Sequence, residues 1–285
     1  PLWASESAGQ RLRGGPQHGI RSAIGAGHDR DLLVADTFHH ALRIVDLGTN
    51  QLRTLAPATV SVETSTNAST TAYISSTQNG SSRGYLSTPC GFTVLSDATL
   101  VVAAAGNNGI FTFKSGRDTS FQRTAGGVLS GTSSDGVDYN AAFNYPYDVL
   151  AIDDRTVLVA ERYGHLIRKV NLQTRVTGTV AGSLGGHQDG EARTAGFSQP
   201  VGLARGPLGW ILVSEVGNNR IRAITPEGEV LTVAGSGLIG KEDGASLASA
   251  SFSAPHGLVW DATQHQIWVA DADNACIRFI QLPGL

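Results

Sequence analysis

The 285-residue sequence predicts an all-β fold, a β-propeller of four-stranded blades, and three observations support this prediction. A unit of about 54 residues recurs along the chain. Within each unit, runs such as WILVSEV and QIWVADA alternate with the period of two that marks β-strands. Gly, Asn and Asp interrupt these runs, and the 35 glycines of the chain supply many tight turns.

The repeat is clearest in the second half of the chain. Three aligned segments begin with Asp-Gly and start 54 residues apart, at Asp135, Asp189 and Asp243. Two weaker copies precede them, around GPQHGIRSAIG and LSTPCGFTVL. Each unit is anchored by one proline, and these are Pro16, Pro89, Pro146, Pro200 and Pro255. Five blades are therefore visible, and a sixth is possible if the long step between the first two prolines contains one.

The two ends of the repeat array predict how the ring closes. One four-stranded sheet cannot bury both of its faces alone, so radial stacking of the sheets is favoured. The last unit ends at IRFIQLPGL without a fourth strand, while PLWASESAG at the start of the chain belongs to no unit. We therefore expect Leu2 to Ser5 to complete the last blade. The alternative is that residues 1–10 form a frayed tail.

The composition limits the classes of partner. Hydrophobic residues make up 41% of the chain and charged residues 16%, which is enough apolar material for a core. The 24 acidic and 21 basic residues give a net charge of −3 and form no long run of one sign, so nucleic acid is not expected as a main partner. No apolar run approaches the ~20 residues that span a bilayer, so direct membrane insertion is not expected either.

We interpret residues 1–285 as a single propeller domain with one insertion. The chain contains no methionine and begins without a signal-peptide pattern, so it is expected to be a fragment of a larger protein or a processed chain. Residues 58–84 are rich in Ser, Thr and Asn and are predicted to form a projecting loop. Asn67 and Asn79 begin N-x-[ST] sequons, which makes them candidate glycosylation sites and favours an extracellular or cell-surface location.

The order of motifs in each unit resembles the NHL repeat. Pro-x-Gly-Leu is followed by Val-Ala-Asp, then Asn-x-x-Ile-Arg, then Thr-Val-Ala-Gly, and this pattern covers nearly the whole chain outside residues 58–84. The resemblance implies a propeller, usually of six blades and sometimes of fewer. It also implies a protein-binding, RNA-binding or receptor role, because only a minority of these propellers are enzymes. The fold alone does not decide between these functions.

Two charged columns recur at a constant spacing. Four of the five units carry an acid, and the same four carry an arginine seven residues later, whereas the second unit has Ala104 and Phe111. Because a buried charge without a partner is costly, this joint absence predicts structural ion pairs. The acids are Asp36, Glu161, Glu215 and Asp271, and the arginines are Arg43, Arg168, Arg222 and Arg278.

Other recurrent or paired residues are also interpreted as structural. An aromatic residue three positions before the proline is predicted to pack between blades, and these residues are Phe143, Phe197 and Phe252. Cys90 and Cys276 are interpreted as small buried residues, with a disulfide bond between them left open. His39 and His40 are predicted to be solvated loop residues.

The candidates for chemistry follow the prolines, where the first strand of each blade is expected to line the central channel. His18, Cys90 and His256 lie there, and two imidazoles with a thiol are acceptable zinc ligands. The peptide-amidating lyases, which are similar to this family, hold zinc with histidines in Pro-His positions; His256 fits that motif, and His18 fits it with a one-residue shift. Tyr147 and Val201 stand where a third histidine is needed. We therefore expect no zinc or calcium in the channel and no catalytic residues.

The sequence thus predicts a non-catalytic binding or scaffolding propeller of an extracellular or cell-surface protein. Its loop faces are expected to meet a protein or glycan partner. The alternative is a metal-dependent lyase or lactone hydrolase in the central channel, with a water polarised by zinc or calcium. RNA binding would need a basic stripe, which the arginine column does not supply if its members are paired.

Overall fold

The chain folds into five antiparallel sheets, which are the blades of a five-bladed β-propeller, as the sequence predicts. The computed structural model describes residues 23–25, 31–55, 83–84, 86–114, 121–127, 131–244 and 246–282. We number the blades 1 to 5 in chain order. The predicted closing strand from Leu2 to Ser5, the metal candidate His18 and the sequons at Asn67 and Asn79 lie outside the described residues.

Within the described residues, blade 1 has four strands and blade 2 has five. Blade 1 consists of β1 (Ala23–Gly25), β2 (Asp31–Asp36), β3 (Ala41–Asp46) and β4 (Gln51–Thr54). Blade 2 consists of β5 (Arg83–Gly84), β6 (Pro89–Val94), β7 (Thr99–Ala104), β8 (Gly109–Lys114) and β9 (Phe121–Ala125). The last two residues of the predicted loop at 58–84 therefore belong to blade 2, because β5 pairs with β9.

Blades 3 and 4 repeat this five-stranded pattern. Blade 3 consists of β10 (Gly136–Val137), β11 (Pro146–Ala151), β12 (Thr156–Glu161), β13 (Leu166–Asn171) and β14 (Val176–Ala181). Blade 4 consists of β15 (Gly190–Glu191), β16 (Pro200–Arg205), β17 (Ile211–Glu215), β18 (Arg220–Ile224) and β19 (Glu229–Ala234). The predicted four-stranded blade thus carries a two-residue outer strand, which contains the glycine of the recurrent Asp-Gly pair.

Blade 5 has three strands within the described residues. These are β20 (Pro255–Asp261), β21 (Gln266–Asp271) and β22 (Cys276–Gln281). Short 3-10 turns connect strands elsewhere in the ring, at Thr37–His39, Ala105–Asn107, Asp138–Asn140 and Pro207–Gly209. The strand that begins at each described proline is the inner one, because β6, β11, β16 and β20 contact one another in that order. The end of the ring where these strands begin and the second strands end is called the upper face below.

The apolar core lies in the seams between blades. Three fully buried phenylalanines act as wedges there, as predicted for Phe143, Phe197 and Phe252. Phe143 packs in a cluster with residues of blades 2 and 3, Phe197 with blades 3 and 4, and Phe252 with blades 4 and 5. Leu33, Ala35 and Leu42 of blade 1 pack with blade 2 in a fourth cluster. Each sheet is thus stabilised by burying a face against its neighbour.

A recurrent hydrogen bond on the upper face joins each blade to the next, and we call it the inter-blade latch. In the turn after the second strand, one side chain accepts the backbone N–H of the residue before the next blade's proline. The pairs are His40 with Thr88 (2.8 Å), Asn108 with Tyr145 (3.1 Å), His165 with Gln199 (3.1 Å) and Asn219 with Ala254 (3.0 Å). His40 is exposed, as predicted, and its Nδ1 in addition accepts a hydrogen bond from blade 2, which the sequence did not predict.

Replacing His165 with Asn, the residue that blades 2 and 4 use, is expected to remove part of the acid sensitivity of the fold. Nδ1 of His165 can accept a hydrogen bond only when it is deprotonated, and burial lowers the pKa of His165 below 6.5. Because the folded-state pKa is lowered, the stabilisation that neutral His165 contributes through this hydrogen bond is fully present above pH 6.5. It is lost as the pH falls through the folded-state pKa. Urea unfolding at pH 7 and pH 5 should show that wild type loses about 1 kcal/mol more than His165→Asn. Equal losses would contradict this.

Candidate functional site

The four predicted acid–arginine pairs are each brought together within one blade. Nε of Arg43 lies 2.5 Å from Oδ2 of Asp36. Arg168 binds Glu161, Arg222 lies 3.0 Å from Glu215, and Arg278 lies 3.2 Å from Asp271. Except in blade 1, the acids are fully buried and the arginines are buried or nearly so. The pairs of blades 3 to 5 are therefore structural and buried away from any ligand.

The Asp of the recurrent Asp-Gly pair completes three of these networks. Nη2 of each arginine lies within 3.0 Å of this second carboxylate, and the pairs are Arg168 with Asp135, Arg222 with Asp189 and Arg278 with Asp243. Each guanidinium also lies over the wedge phenylalanine of its blade. This role was missed from the sequence, although an Asp-Gly pair precedes the arginine in each of these three units.

Blade 2 also contains a buried guanidinium, but it lies on the strand outside the one that carries the arginine in the other blades. Arg123 in β9 lies opposite Phe111 of β8, and its guanidinium covers that ring at 4.8 Å. Among the described residues, its acceptors are backbone carbonyls, including those of Asn107 (3.1 Å) and Gly126 (3.0 Å), and none is a carboxylate. Burial lowers the pKa of Arg123. Blade 2 therefore lacks the acid of the pair and still contains the arginine–aromatic contact.

The metal candidates do not form a ligand set within the described residues. Cys90 is buried in β6, with its Sγ 3.5 Å from the carbonyl of Thr88. Nδ1 of His256 in β20 lies 2.8 Å from the carbonyl of Ala254, to which it can donate. In the part of the chain that the structure describes, no three His, Cys, Asp or Glu side chains come close enough to share a metal ion. Neither Cys90 nor Cys276 forms a disulfide bond.

Blade 3 differs from the other blades at the upper face. The residue before the proline is Tyr145, where other blades have Thr88, Gln199 and Ala254. The residue after the buried acid is Arg162, and the positions corresponding to it hold Thr37, Ala105, Val216 and Ala272. The next residue is Tyr163, and its counterparts are Phe38, Gly106, Gly217 and Asp273. Polar and aromatic residues with a large contact area are thus concentrated in one blade, which a repeat that served only the fold would not require.

These residues of blade 3 form a continuous cluster, which we call the Tyr–Arg cluster: Tyr145, Tyr147, Arg162 and Tyr163. The guanidinium of Arg162 lies 5.5 Å from the ring centroid of Tyr147 and 5.2 Å from that of Tyr163. The rings of Tyr145 and Tyr163 are 4.9 Å apart. Tyr147 is buried beside Cys90 and Val201 at the inner strands, whereas 47% of Tyr163 is exposed. The cluster therefore runs from the channel to the surface.

Two residues of other blades border the Tyr–Arg cluster. Oε1 of Gln199 in blade 4 accepts from Nε of Arg162 at 3.2 Å. The His256 ring of blade 5 lies 6.1 Å from the Tyr147 ring. The Tyr–Arg cluster thus contacts blades 4 and 5, and the hydrogen bond to Gln199 orients the guanidinium of Arg162.

Asp148 is the second residue that distinguishes blade 3. It follows Tyr147 in β11, where the corresponding residues are Gly91, Gly202 and Gly257. Its Oδ2 accepts the N–H of Leu203 in blade 4 at 2.8 Å, and its Oδ1 accepts the N–H of Val149 at 2.8 Å. Burial raises the pKa of Asp148 to about 6, although the two N–H donors oppose that shift. A Cβ at Gly91 would lie 2.1 Å from Oδ1 of Asp148, so glycine is required there.

No model of a known protein family matches the chain. NHL repeat-containing protein 2 of Gallus gallus is 30% identical over 211 residues, which cover 64% of this chain and 28% of that protein. The chain thus spans little more than a quarter of that relative's length. Within the described residues, no helix is both long and apolar enough to cross a bilayer.

Two solved structures share the fold at low sequence identity. An auxiliary nutrient binding protein from Bacteroides thetaiotaomicron superposes with a TM-score of 0.57 at 14% identity, covering 92% of this chain and 68% of that one. A catalytically inactive virginiamycin B lyase from Staphylococcus aureus, solved with quinupristin, gives a TM-score of 0.52 at 11% identity, covering 95% and 72%. The resemblance to the NHL repeat is confirmed: the chain is a five-bladed β-propeller, and over 64% of its length it is similar to a protein named for that repeat.

Proposed function

We propose that the chain is a non-catalytic binding module that holds a protein partner on its upper face. The observation that carries this proposal is the Tyr–Arg cluster, whose four residues depart from the repeat within one blade. Tyr and Arg are the residue types that dominate the binding energy of protein interfaces. The inter-blade latches and seams hold the loops of this face on a rigid frame, which lowers the entropic cost of binding. Nutrient-binding proteins are among the solved structures that share the fold.

Exposed aliphatic side chains on the same face favour a protein over a glycan. Leu184 is 78% exposed, Leu238 72% and Ile239 78%. Their loops lie beside the upper turns, because Asn218 donates to the carbonyl of Gly186 and Asn274 donates to that of Gly240. A face that combines exposed aliphatic side chains with aromatic and arginine residues is typical of the core of a protein interface. The glycan alternative is tested in the same experiment.

The test compares upper-face and lower-face variants in protein capture. Leu238→Asp places a charge on the proposed face, and Leu208→Asp is the matched control, since Leu208 is 68% exposed in the turn between β16 and β17 at the opposite end. Immobilised wild type and both variants are incubated with extract of the cells that produce the protein, and captured proteins are quantified by mass spectrometry. We expect at least one protein that wild type and Leu208→Asp retain and that Leu238→Asp loses about tenfold.

Two results would contradict the proposal. Equal capture by Leu208→Asp and Leu238→Asp would show that the upper face is not the binding surface. A glycan array that binds wild type, with no face-dependent protein captured, would favour the glycan alternative.

We also propose an extracellular or cell-surface location, which rests on the sequons at Asn67 and Asn79. Unmodified Asn67 and Asn79 in peptide mass spectra of the natural protein would remove that support.

A further inference from the structure

We infer that Arg162 is the subsite for a carboxylate, and that the partner of the upper face presents an acidic peptide segment to it. This inference rests on the proposed function. Arg162 is half-buried, its Nε is bound to Gln199, and its guanidinium lies over two tyrosine rings. Among the described residues, Nη1 and Nη2 have no hydrogen-bond acceptor and no carboxylate lies within ion-pair distance. The guanidinium of Arg162 is therefore held in position, while its Nη1 and Nη2 can donate hydrogen bonds to a ligand.

The arginines of the recurrent column, and Arg123 of blade 2, do not have free terminal donors of this kind. Arg43, Arg168, Arg222 and Arg278 each bind a carboxylate within their own blade. Arg123 saturates its terminal nitrogens with backbone carbonyls. The repeat does not require an arginine at this position, because Thr, Ala, Val and Ala occupy it in the other blades. The structure thus contains a positioned guanidinium whose terminal nitrogens bind no acceptor among the described residues.

The chemistry of the site selects the class of anion. Two parallel N–H donors on a planar guanidinium match the two oxygens of a carboxylate. The net charge of −3 and the internal pairing of the other arginines leave no extended basic surface for a polyanion. The exposed Tyr163 lies beside the Arg162 guanidinium, and Leu184 and Leu238 are exposed on the same face, so apolar side chains of a bound segment would find contacts there. An Asp or Glu side chain flanked by apolar residues satisfies all three conditions.

The probe is a library of random twelve-residue peptides, selected for binding to the wild-type chain. We expect an enriched consensus that contains Asp or Glu, and weaker binding at higher salt. The best peptide is then measured by calorimetry against wild type, Arg162→Gln, Arg162→Lys and the control Arg155→Gln, which alters an exposed arginine in the turn between β11 and β12 at the lower face. Arg162→Gln should weaken binding about tenfold or more, Arg162→Lys should weaken it less, and Arg155→Gln should bind as wild type. Melting curves confirm that each variant is folded.

Three outcomes would overturn the carboxylate subsite. The first is a selection that yields no binder or no acidic consensus. The second is an equal affinity of wild type for the peptide and for a copy in which the acid is replaced by its amide. The third is an Arg162→Gln variant that binds the peptide as tightly as wild type does. The proposed function can fail separately. If Leu238→Asp abolishes protein capture while Arg162→Gln retains it, the upper face binds a partner and Arg162 is not its carboxylate subsite.

Discussion

Replacing Arg222 with Met is expected to lower the free energy of unfolding by about 3–5 kcal/mol, the cost of removing one partner from a buried ion pair. The side chains of Arg222 and Glu215 are both fully buried. Without Arg222, the carboxylate of Glu215 keeps only the N–H of Ser198 and the amide of Asn218 as donors. Burial already raises the pKa of Glu215, and Arg222 opposes that rise, so its removal leaves an uncompensated buried charge. Urea unfolding at pH 7 measures the loss.

Arg175→Met is the matched control for this prediction. Nη1 of Arg175 lies 2.9 Å from Asp138, and both side chains are more than 40% exposed. An exposed pair contributes at most about 1 kcal/mol, so the control should be only slightly destabilised. Adding Glu215→Leu to Arg222→Met should recover part of the stability, because the double variant contains no unpaired buried charge. An Arg222→Met variant as stable as Arg175→Met would show that the pair contributes little to the fold.

The repeat explains why these pairs could be predicted from the sequence. Blades are equivalent in the ring, so residues that contact each other within one blade recur with the same spacing in the next. Asp36 with Arg43 and Glu215 with Arg222 share a separation of seven residues, which places them on adjacent strands near one end of the blade. The wedge phenylalanines, the inner position of the proline strands and the blade count follow from the same periodicity.

Features that break the repeat were predicted less well. In blade 2 the arginine lies on the fourth strand as Arg123, and Phe111 occupies the position of the other arginines on the third strand. An alignment of the units therefore shows only a missing arginine. The latch role of His40 depends on a backbone N–H of the next blade, which no spacing within one unit reveals. The Tyr–Arg cluster was visible in principle, because blade 3 departs from the other units at Tyr145, Arg162 and Tyr163. Comparing the units for differences, as well as for similarities, would have found it.

Replacing Asp148 with Asn is expected to stabilise the protein at pH 8 by up to about 3 kcal/mol, which is the free energy of a pKa shift of roughly two units. Burial raises the pKa of Asp148 from 3.8 to about 6. A raised carboxyl pKa means that the folded state binds the proton more tightly than the unfolded state. Stability that depends on this proton is present below pH 3.8 and is lost as the pH rises to 6. Asn keeps an acceptor for the N–H of Leu203 and carries no charge to bury.

The pH dependence of this difference distinguishes the charge of Asp148 from a packing effect. The free energy of unfolding of Asp148→Asn minus that of wild type should rise between pH 4 and pH 6 and stay constant above pH 7. Asp261→Asn is a control of opposite sign, because the N–H groups of Gln264 and Thr263 lower the pKa of Asp261. That variant should be less stable than wild type at pH 7, and the deficit should shrink in acid as the wild-type carboxylate is protonated. A difference for Asp148→Asn that is the same at pH 4 and pH 8 would mean that the buried charge does not cause it.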